Sequence, residues 1–355
     1  MLIEENKPLA PFTTFGIGGP ARWFVEPANE EEVAEAATWA CERGVALFVL
    51  GGGSNLLVSD AGFDGLVLRV GLCGISVTGM PGEPGQIAQR IYHAAAGESW
   101  NLFVERTVEE NCAGVECLAG IPGTVGGTPV QNVGAYGQEV ASTIKQVRAY
   151  DLLKHRYVEI AATECGFAYR RSRFNSSDYD RFIVTRVDYR LTPGGAPTLR
   201  YAELQRAFPE GVQPSLTEVA AQVRRIRQAK GMLIVKGDPD CRSAGSFFKN
   251  PVVTDKQFQQ IADAETKVPP RFPVGPEAEN QGHVKVPAAW LIEHAGFNKG
   301  YARGAAAVSS QHTLALVNRG GASAADVLAL AGQIIDAVER RYGIRLEMEP
   351  VRLGF

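Results

Sequence analysis

The sequence predicts an α+β protein of more than one domain, on three observations. Its 355 residues exceed what one ordinary core organises. Helical stripes and short alternating strands are interspersed along its whole length. Two runs, Gly51–Asn55 and Gly120–Gly127, carry more glycine than a helix or regular strand tolerates. With 45% apolar and 21% charged residues, the composition is that of a soluble globular chain. A net charge of -3 with a pI near 6.0 supplies no broad basic field, which argues against nucleic-acid or anionic-membrane binding. The N-terminus lacks the pattern of a secretory signal, and no apolar run is long enough to span a bilayer. The expected compartment is the cytoplasm. Cys41, Cys73, Cys112, Cys117, Cys165 and Cys241 are scattered and expected to be reduced. The five histidines have no ligand spacing, so no metal is expected.

Residues 21–27 read as a strand. Asn29 with Glu30, Glu31 and Glu32 then starts a helix whose face is Val33, Ala36, Ala37 and Ala40, ended by Gly44. The apolar run Val45–Leu50 suits a buried strand, and it empties into Gly51-Gly52-Gly53-Ser54-Asn55. Backbone N–H groups of such a junction can converge on a phosphate, with Ser54 and Asn55 as added donors. A plain tight turn is the competing reading, although three glycines forfeit entropy without packing anything. The run lacks the ending of a P-loop, and the GxGxxA spelling at Gly16–Ala21 opens toward a strand, so neither is a nucleotide fingerprint.

Gly71–Glu98 alternates with Gly and Pro breaks, suggesting short antiparallel strands, and Ser99–Cys112 reads as an amphipathic helix. Gly120–Pro129 and the run Val130–Gly137 form a long loop rich in backbone donors, able to lie along a flat cofactor. Phe167–Ser172 precedes a strand at 181–191 and on its own is a solvated basic turn. Tyr201 on its own packs beside Leu204 and Phe208. Ser215–Glu218 is a capping box opening a helix with cations at its C-terminal end. Further on, Pro287 starts a helix, Thr313–Asn318 reads as a strand and Ser323–Tyr342 as a long helix. In a strand, Glu347 and Glu349 share a face, so periodicity does not separate them. The run Ser243-Ala244-Gly245-Ser246-Phe247-Phe248-Lys249-Asn250-Pro251 packs small residues, a hydroxyl, two aromatics, a cation and an amide into one loop.

Several of these runs together resemble one family. Phe15–Gly19, Gly51–Asn55, Gly120–Gly123, Asn132–Gly137 and Ser243–Pro251 are similar, in this order, to the motifs of the UDP-N-acetylenolpyruvoylglucosamine reductases. The resemblance implies a vanillyl-alcohol-oxidase type FAD-binding fold in two subdomains, 1–70 and 71–228, with a tyrosine loop near Tyr201. A C-terminal α+β substrate domain, 229–355, would follow. It implies non-covalent FAD held by Gly51, Gly52, Gly53, Ser54, Asn55, Gly120, Ile121, Gly123, Gly126, Gly127, Asn132, Gly134, Ala135 and Arg227. It also implies NADPH as co-substrate and a UDP-sugar nucleotide as substrate, contacted by Tyr136, Tyr201, Lys230 and Asn250, with Gln311 or His312 near the nucleotide. The implied catalytic residues are Arg170, chosen over Arg171 as the one that follows the tyrosine, Ser246, and Glu349 by its spacing to Leu353-Gly354. Two other classes compete: a flavoprotein oxidase of sugar alcohols and a non-catalytic nucleotide-binding regulator. A monomer is expected.

Overall fold

The computed structural model describes residues 1–80, 88–209, 211–274 and 281–355. The chain forms two compact units, the first from 1–7, 21–53 and 63–229, the second from 8–20, 54–62 and 230–355.

In the first unit, the Asn29 side chain accepts the Glu32 N–H at 2.9 Å and opens helix α1 (Glu30–Glu42), which buries Val33, Ala36, Ala37 and Ala40. Gly44, at φ +60°, turns the chain into the strand Leu47–Leu50. That strand and Pro20–Val25 both run parallel to Phe63–Arg69, with Glu4–Pro8 on the outer edge. A second sheet is antiparallel, in the order Arg156–Ala161, Ile144–Asp151, Phe182–Pro193, Gln89–Ala95, Ile75–Met80. Its last pair is the alternating stretch expected between Gly71 and Glu98, of which 81–87 lies outside the described residues. Helix α2 (Trp100–Glu109), capped by the Ser99 hydroxyl, stacks Trp100 on Phe103 and tilts both rings against Tyr189. Helices α3 (Ala202–Ala207) and α4 (Leu216–Ala229) complete the unit, the second opened by the Ser215–Glu218 capping box.

In the second unit, helices α5 (Asp255–Asp263), α6 (Ala288–His294) and α7 (Ala324–Tyr342) pack with two small antiparallel sheets. Helix α7 is opened by a Ser323–Asp326 capping box and closed by Gly343 at φ +67°. The strand expected from Thr313 begins only at Leu316. Ser309 N–H bonds the Ala315 carbonyl at 2.9 Å and Ala315 N–H bonds His312, so 312–315 is a turn.

Two N-terminal segments belong to this second unit, which regroups the expected divisions 1–70, 71–228 and 229–355. Leu56–Val58 runs parallel to Val351–Leu353. Asp60 accepts the Ala324 and Ala325 N–H groups at 2.7 and 3.0 Å, adding a second cap to α7. Phe15, Ile17 and Leu57 are buried in the same core as Phe247, Phe248 and Leu330. The glycines at 16–19 serve this packing. A Cβ on Gly19 would stand 2.4 Å from the Asp60 carbonyl oxygen, and one on Gly18 would stand 2.7 Å from Val58 Cβ.

Candidate active site

The two glycine-rich runs of the first unit lie back to back. A Cβ on Gly52 would stand 2.5 Å from Gly123 Cα, and one on Gly51 would stand 3.0 Å from the Thr124 hydroxyl. The Gly120–Gly127 run is itself pinned: Gly126 N–H bonds Ala96 at 2.8 Å, Val125 N–H bonds Glu98 at 2.9 Å, and Trp100 N–H bonds Gly123 at 3.1 Å. A Cβ on Gly126 would meet the Ala96 methyl at 2.6 Å. Loops packed this closely are rigid backbone surfaces, which is what a flat group with a diphosphate needs.

Gly120 is held at both ends. Its N–H bonds the Asn101 side chain at 2.9 Å, and its carbonyl accepts from Arg227 Nε at 3.1 Å. Burial lowers the pKa of Arg227 from its ordinary value, while the Tyr136 hydroxyl, a hydrogen-bond acceptor to the guanidinium, opposes that shift. One turn back on α4, Arg224 binds Asn101 at 2.9 Å and pairs with Glu105.

Gly134-Ala135 and Gln138-Glu139 form a hairpin whose two corner residues, Tyr136 and Gly137, both have positive φ, +50° and +84°. Asn132 is buried, and its side chain binds Glu139 at 2.9 Å, the Ala168 carbonyl at 3.1 Å and the Ala141 N–H at 3.1 Å. It therefore shapes the hairpin through side-chain bonds. Ala168 and Arg171 exchange backbone hydrogen bonds at 2.9 and 3.1 Å, so Tyr169 and Arg170 occupy the corners of a tight turn. Arg170 Nη1 donates to the Gly134 carbonyl at 3.0 Å, fixing the guanidinium to the hairpin, while Arg171 is exposed. Tyr201 stands at the start of α3 and packs its ring edge-on against Tyr136, centroids 5.2 Å apart. Its ring therefore meets Tyr136, a neighbour the sequence alone did not offer.

In the second unit, the Ser246 loop is stitched to the C-terminal segment. Phe248 and Met348 form an antiparallel bridge, Glu349 N–H bonds Phe247 at 2.9 Å, and Lys249 N–H bonds Glu347 at 2.9 Å. Phe247 and Phe248 are buried, with rings edge-on at 5.3 Å, and anchor the loop while Ser246 is half-exposed between its neighbours. Only Val351–Leu353 is regular strand here, and the two candidate glutamates differ. Glu347 is exposed and pairs with Lys249, whereas Glu349 is half-buried. The Asn55 amide donates to the Glu349 carbonyl at 3.3 Å, and Val351 N–H bonds the Asn55 carbonyl at 3.0 Å. Asn55 thus braces the acid's backbone.

The remaining candidates have structural neighbours of their own. Asn250 accepts the Ala288 N–H at 2.9 Å and caps α6. Lys230 precedes Gly231, at φ +61°, whose Cβ would stand 3.3 Å from Asp240 Cβ. Asp240 is fully buried and unannounced by the sequence. It accepts from Ser309 Oγ, Ser310 N–H and Ser310 Oγ at 3.1, 2.9 and 2.6 Å, and faces Arg319 at 2.8 Å. This fixes the turn that carries Gln311 and His312, whose N–H groups bond Ser309 Oγ at 3.0 and 3.3 Å.

Comparison with known proteins decides the family. Residues 238–353 match the model of the UDP-N-acetylenolpyruvoylglucosamine reductase C-terminal domain, and 21–155 match that of an FAD binding domain. A UDP-N-acetylenolpyruvoylglucosamine reductase of Streptomyces coelicolor is 44% identical, over 99% of this chain and 90% of its own length. That of Thermobifida fusca is 44% identical, over 99% and 98%. The chain belongs to the UDP-N-acetylenolpyruvoylglucosamine reductase family. The crystal structure of the reductase from Thermus caldophilus superposes with a TM-score of 0.66 at 25% identity, covering 99% of both chains. The fold is therefore the expected FAD-binding architecture with a C-terminal reductase domain. The residues present fit FAD: the two glycine loops approach so closely at Gly52 and Gly123 that only bare backbone is presented there, and the nearby Arg227 holds the second loop in place.

Proposed function

We propose that this chain is the NADPH- and FAD-dependent reductase that converts UDP-N-acetylglucosamine enolpyruvate to UDP-N-acetylmuramate, acting as a cytoplasmic monomer. The observation that carries the reading is the stitching of the Ser246 loop to the Glu349 segment, which fixes a hydroxyl and a carboxyl on neighbouring chain segments. The family resemblance supports it over an oxidase. Among the described residues no helix is long and apolar enough to cross a membrane.

When bound, FAD would supply hydride-transfer chemistry to the methylene carbon of the enolpyruvyl group, with NADPH as the hydride source. This chain's residues handle the rest. The backbone of Gly51–Gly53, of Gly120, Ile121, Gly123, Gly126 and Gly127, and of Asn132, Gly134 and Ala135 would line the cofactor, with Ser54, Asn55 and Arg227 as polar partners. The Arg170 guanidinium grips the substrate carboxylate with parallel hydrogen bonds, its own position set by the Gly134 carbonyl. Glu349, protonated, donates to the same carboxylate and stabilises the charge that accumulates there as the double bond is reduced. The Ser246 hydroxyl gives its proton to the carbon bearing that carboxylate, completing addition of hydride and proton across the bond. Being half-exposed, it recovers a proton from water. Tyr136, Tyr201, Lys230, Asn250 and His312 hold the sugar nucleotide.

The test is a two-step anaerobic titration of the purified protein. NADPH should bleach the flavin absorbance, and the enolpyruvyl sugar nucleotide should restore it with formation of the lactyl ether. Failure of the sugar nucleotide to restore colour, or rapid oxygen use with a sugar and no NADPH, would overturn the reading in favour of an oxidase.

A further inference from the structure

Glu116 is a fully buried carboxylate with no basic side chain among the partners of its oxygens in the described structure. Burying such a group is costly unless hydrogen bonds replace its lost water. Here three hydrogen bonds do so, from Gly114, Gln138 and Thr198. Oε2 accepts the Gly114 N–H at 2.8 Å, and Oε1 accepts both Gln138 Nε2 at 2.7 Å and the Thr198 N–H at 2.8 Å. The two partners are themselves linked. Gln138 Nε2 also donates to the Thr198 hydroxyl at 3.2 Å, Gln138 Oε1 accepts the Cys117 N–H at 2.8 Å, and the Cys117 thiol donates to the Thr198 carbonyl at 3.2 Å. Every polar group of Thr198 is therefore occupied.

These segments lead to the two tyrosines. Gln138 closes the hairpin whose corner is Tyr136, and Thr198 lies three residues before Tyr201. At their meeting point, a Cβ on Gly137 would stand 3.0 Å from Arg200 Cβ, and the two tyrosine rings touch edge to face. The placement of Tyr201 therefore follows from the Glu116 anchor, since α3 begins one residue later and Tyr201's carbonyl accepts the Leu204 and Gln205 N–H groups. A glutamine at 116 would not serve. Its carbonyl could accept from Gln138 and Thr198, but its amide would point a donor at the Gly114 N–H.

We propose that Glu116 is a positioning residue that, through Gln138 and Thr198, holds Tyr201 against Tyr136 and so sets the enzyme's affinity for its sugar-nucleotide substrate. This rests on the reductase reading in that it takes Tyr201 to touch that substrate. The anchor acts on binding and leaves flavin reduction by NADPH alone.

The test compares holoenzyme with Glu116→Gln, Thr198→Val and Tyr201→Ala, singly and combined. Glu116→Gln should raise KM for the enolpyruvyl sugar nucleotide on the order of tenfold. Flavin content and anaerobic bleaching by NADPH should stay within about twofold of wild type. Thr198→Val should act in the same direction, and keeps the proposal testable if Glu116→Gln fails to fold. In the Tyr201→Ala background neither change should raise KM further. Hydrogen exchange gives a readout free of turnover: amides of 198–205 should exchange on the order of tenfold faster in Glu116→Gln, with those of α1 unchanged. An unchanged KM, an equal rise without Tyr201, or parallel loss of flavin and both half-reactions would overturn the proposal. A wild-type enzyme that never reduces the sugar nucleotide sinks the reductase reading instead, and the exchange rates then decide the anchor by themselves.

Discussion

Replacing Gly52 by alanine inserts one methyl where two backbones touch. The new Cβ would stand 2.5 Å from Gly123 Cα, 2.8 Å from its carbonyl carbon and 3.1 Å from Thr124 N. Carbon atoms rest about 3.5–4.0 Å apart, so the loops must part by about 1 Å. No side chain can rotate away, because every obstructing atom is backbone. Nor can the second loop retreat easily, since Gly123, Val125 and Gly126 are bonded to Trp100, Glu98 and Ala96, and Gly123 sits at φ +129°. Overpacking of this kind costs about 1–3 kcal/mol. For a unit of this size that lowers Tm by about 2–12 °C. The same parting displaces both glycine loops, so flavin content should fall with it. Gly332→Ala is the control with opposite sign: it lies in α7 with nothing within 4 Å of its would-be Cβ, so it should stabilise by about 0.5–1 kcal/mol. The measurements are a thermal melt and the ratio of flavin to protein absorbance. A Gly52→Ala protein with wild-type Tm and full flavin would refute the back-to-back loop geometry.

Ser246→Ala should keep flavin bleaching by NADPH near wild type while slowing sugar reduction by about 10²–10⁴-fold, and stopped-flow traces with equal losses in both steps would contradict the proton-donor role. Glu349→Ala should slow the same step on the order of a hundredfold. Glu347→Gln removes only an exposed pair with Lys249 and should change stability by about 1 kcal/mol or less; a reversed ranking in single-turnover rates would assign the acid to Glu347. Glu30, hydrogen-bonded by Arg148 and by Thr185, has its pKa held below 4.5, with desolvation opposing. A carboxylate depressed on folding contributes stability that is fully present above its unfolded value and lost as pH falls through the folded one. Glu30→Gln should therefore lower Tm at pH 7, with the gap to wild type closing as pH drops below 4.5; a gap constant down to pH 3 would rule out that linkage.

The sequence made some of this readable because local chemistry decided it. Asn29, Ser215 and Ser323 cap the helices they precede, and the glycine runs are loops as their composition required. What stayed hidden depends on partners far along the chain. Glu347 and Glu349 looked equivalent because alternation assigns them one face. The segment holds only a single bridge at Met348 before Val351, and Lys249 then draws one glutamate outward. Likewise, nothing near Leu57 or Phe15 says that their partners lie some two to three hundred residues later, so the expected division at residue 70 differs from the second unit's core. Glu116 could have been suspected only from its setting among Val115, Cys117 and Leu118, an apolar run with one acid in it.

Backbone strain gives an independent reason to look at the same residues. Among the described residues, seven other than glycine have positive φ: Asn6, Asn111, Asn132, Tyr136, His155, Arg170 and Asp180. Five are Asn, His or Asp, the types that tolerate the left-handed region. Tyr136 and Arg170 are not, and each pays a conformational cost that a glycine or asparagine would avoid. A fold selected only for stability has no use for either choice. Both residues sit at the corners of tight turns, and the turns are joined by the Arg170–Gly134 and Asn132–Ala168 hydrogen bonds. The corner places an aromatic ring and a guanidinium where a flatter backbone would point them elsewhere. The strain and the family motifs were read from different properties of the chain, dihedral angles in one case and residue identities in the other. Their agreement on Tyr136 and Arg170 supports the proposal that these side chains, and not the exposed Arg171, contact the substrate.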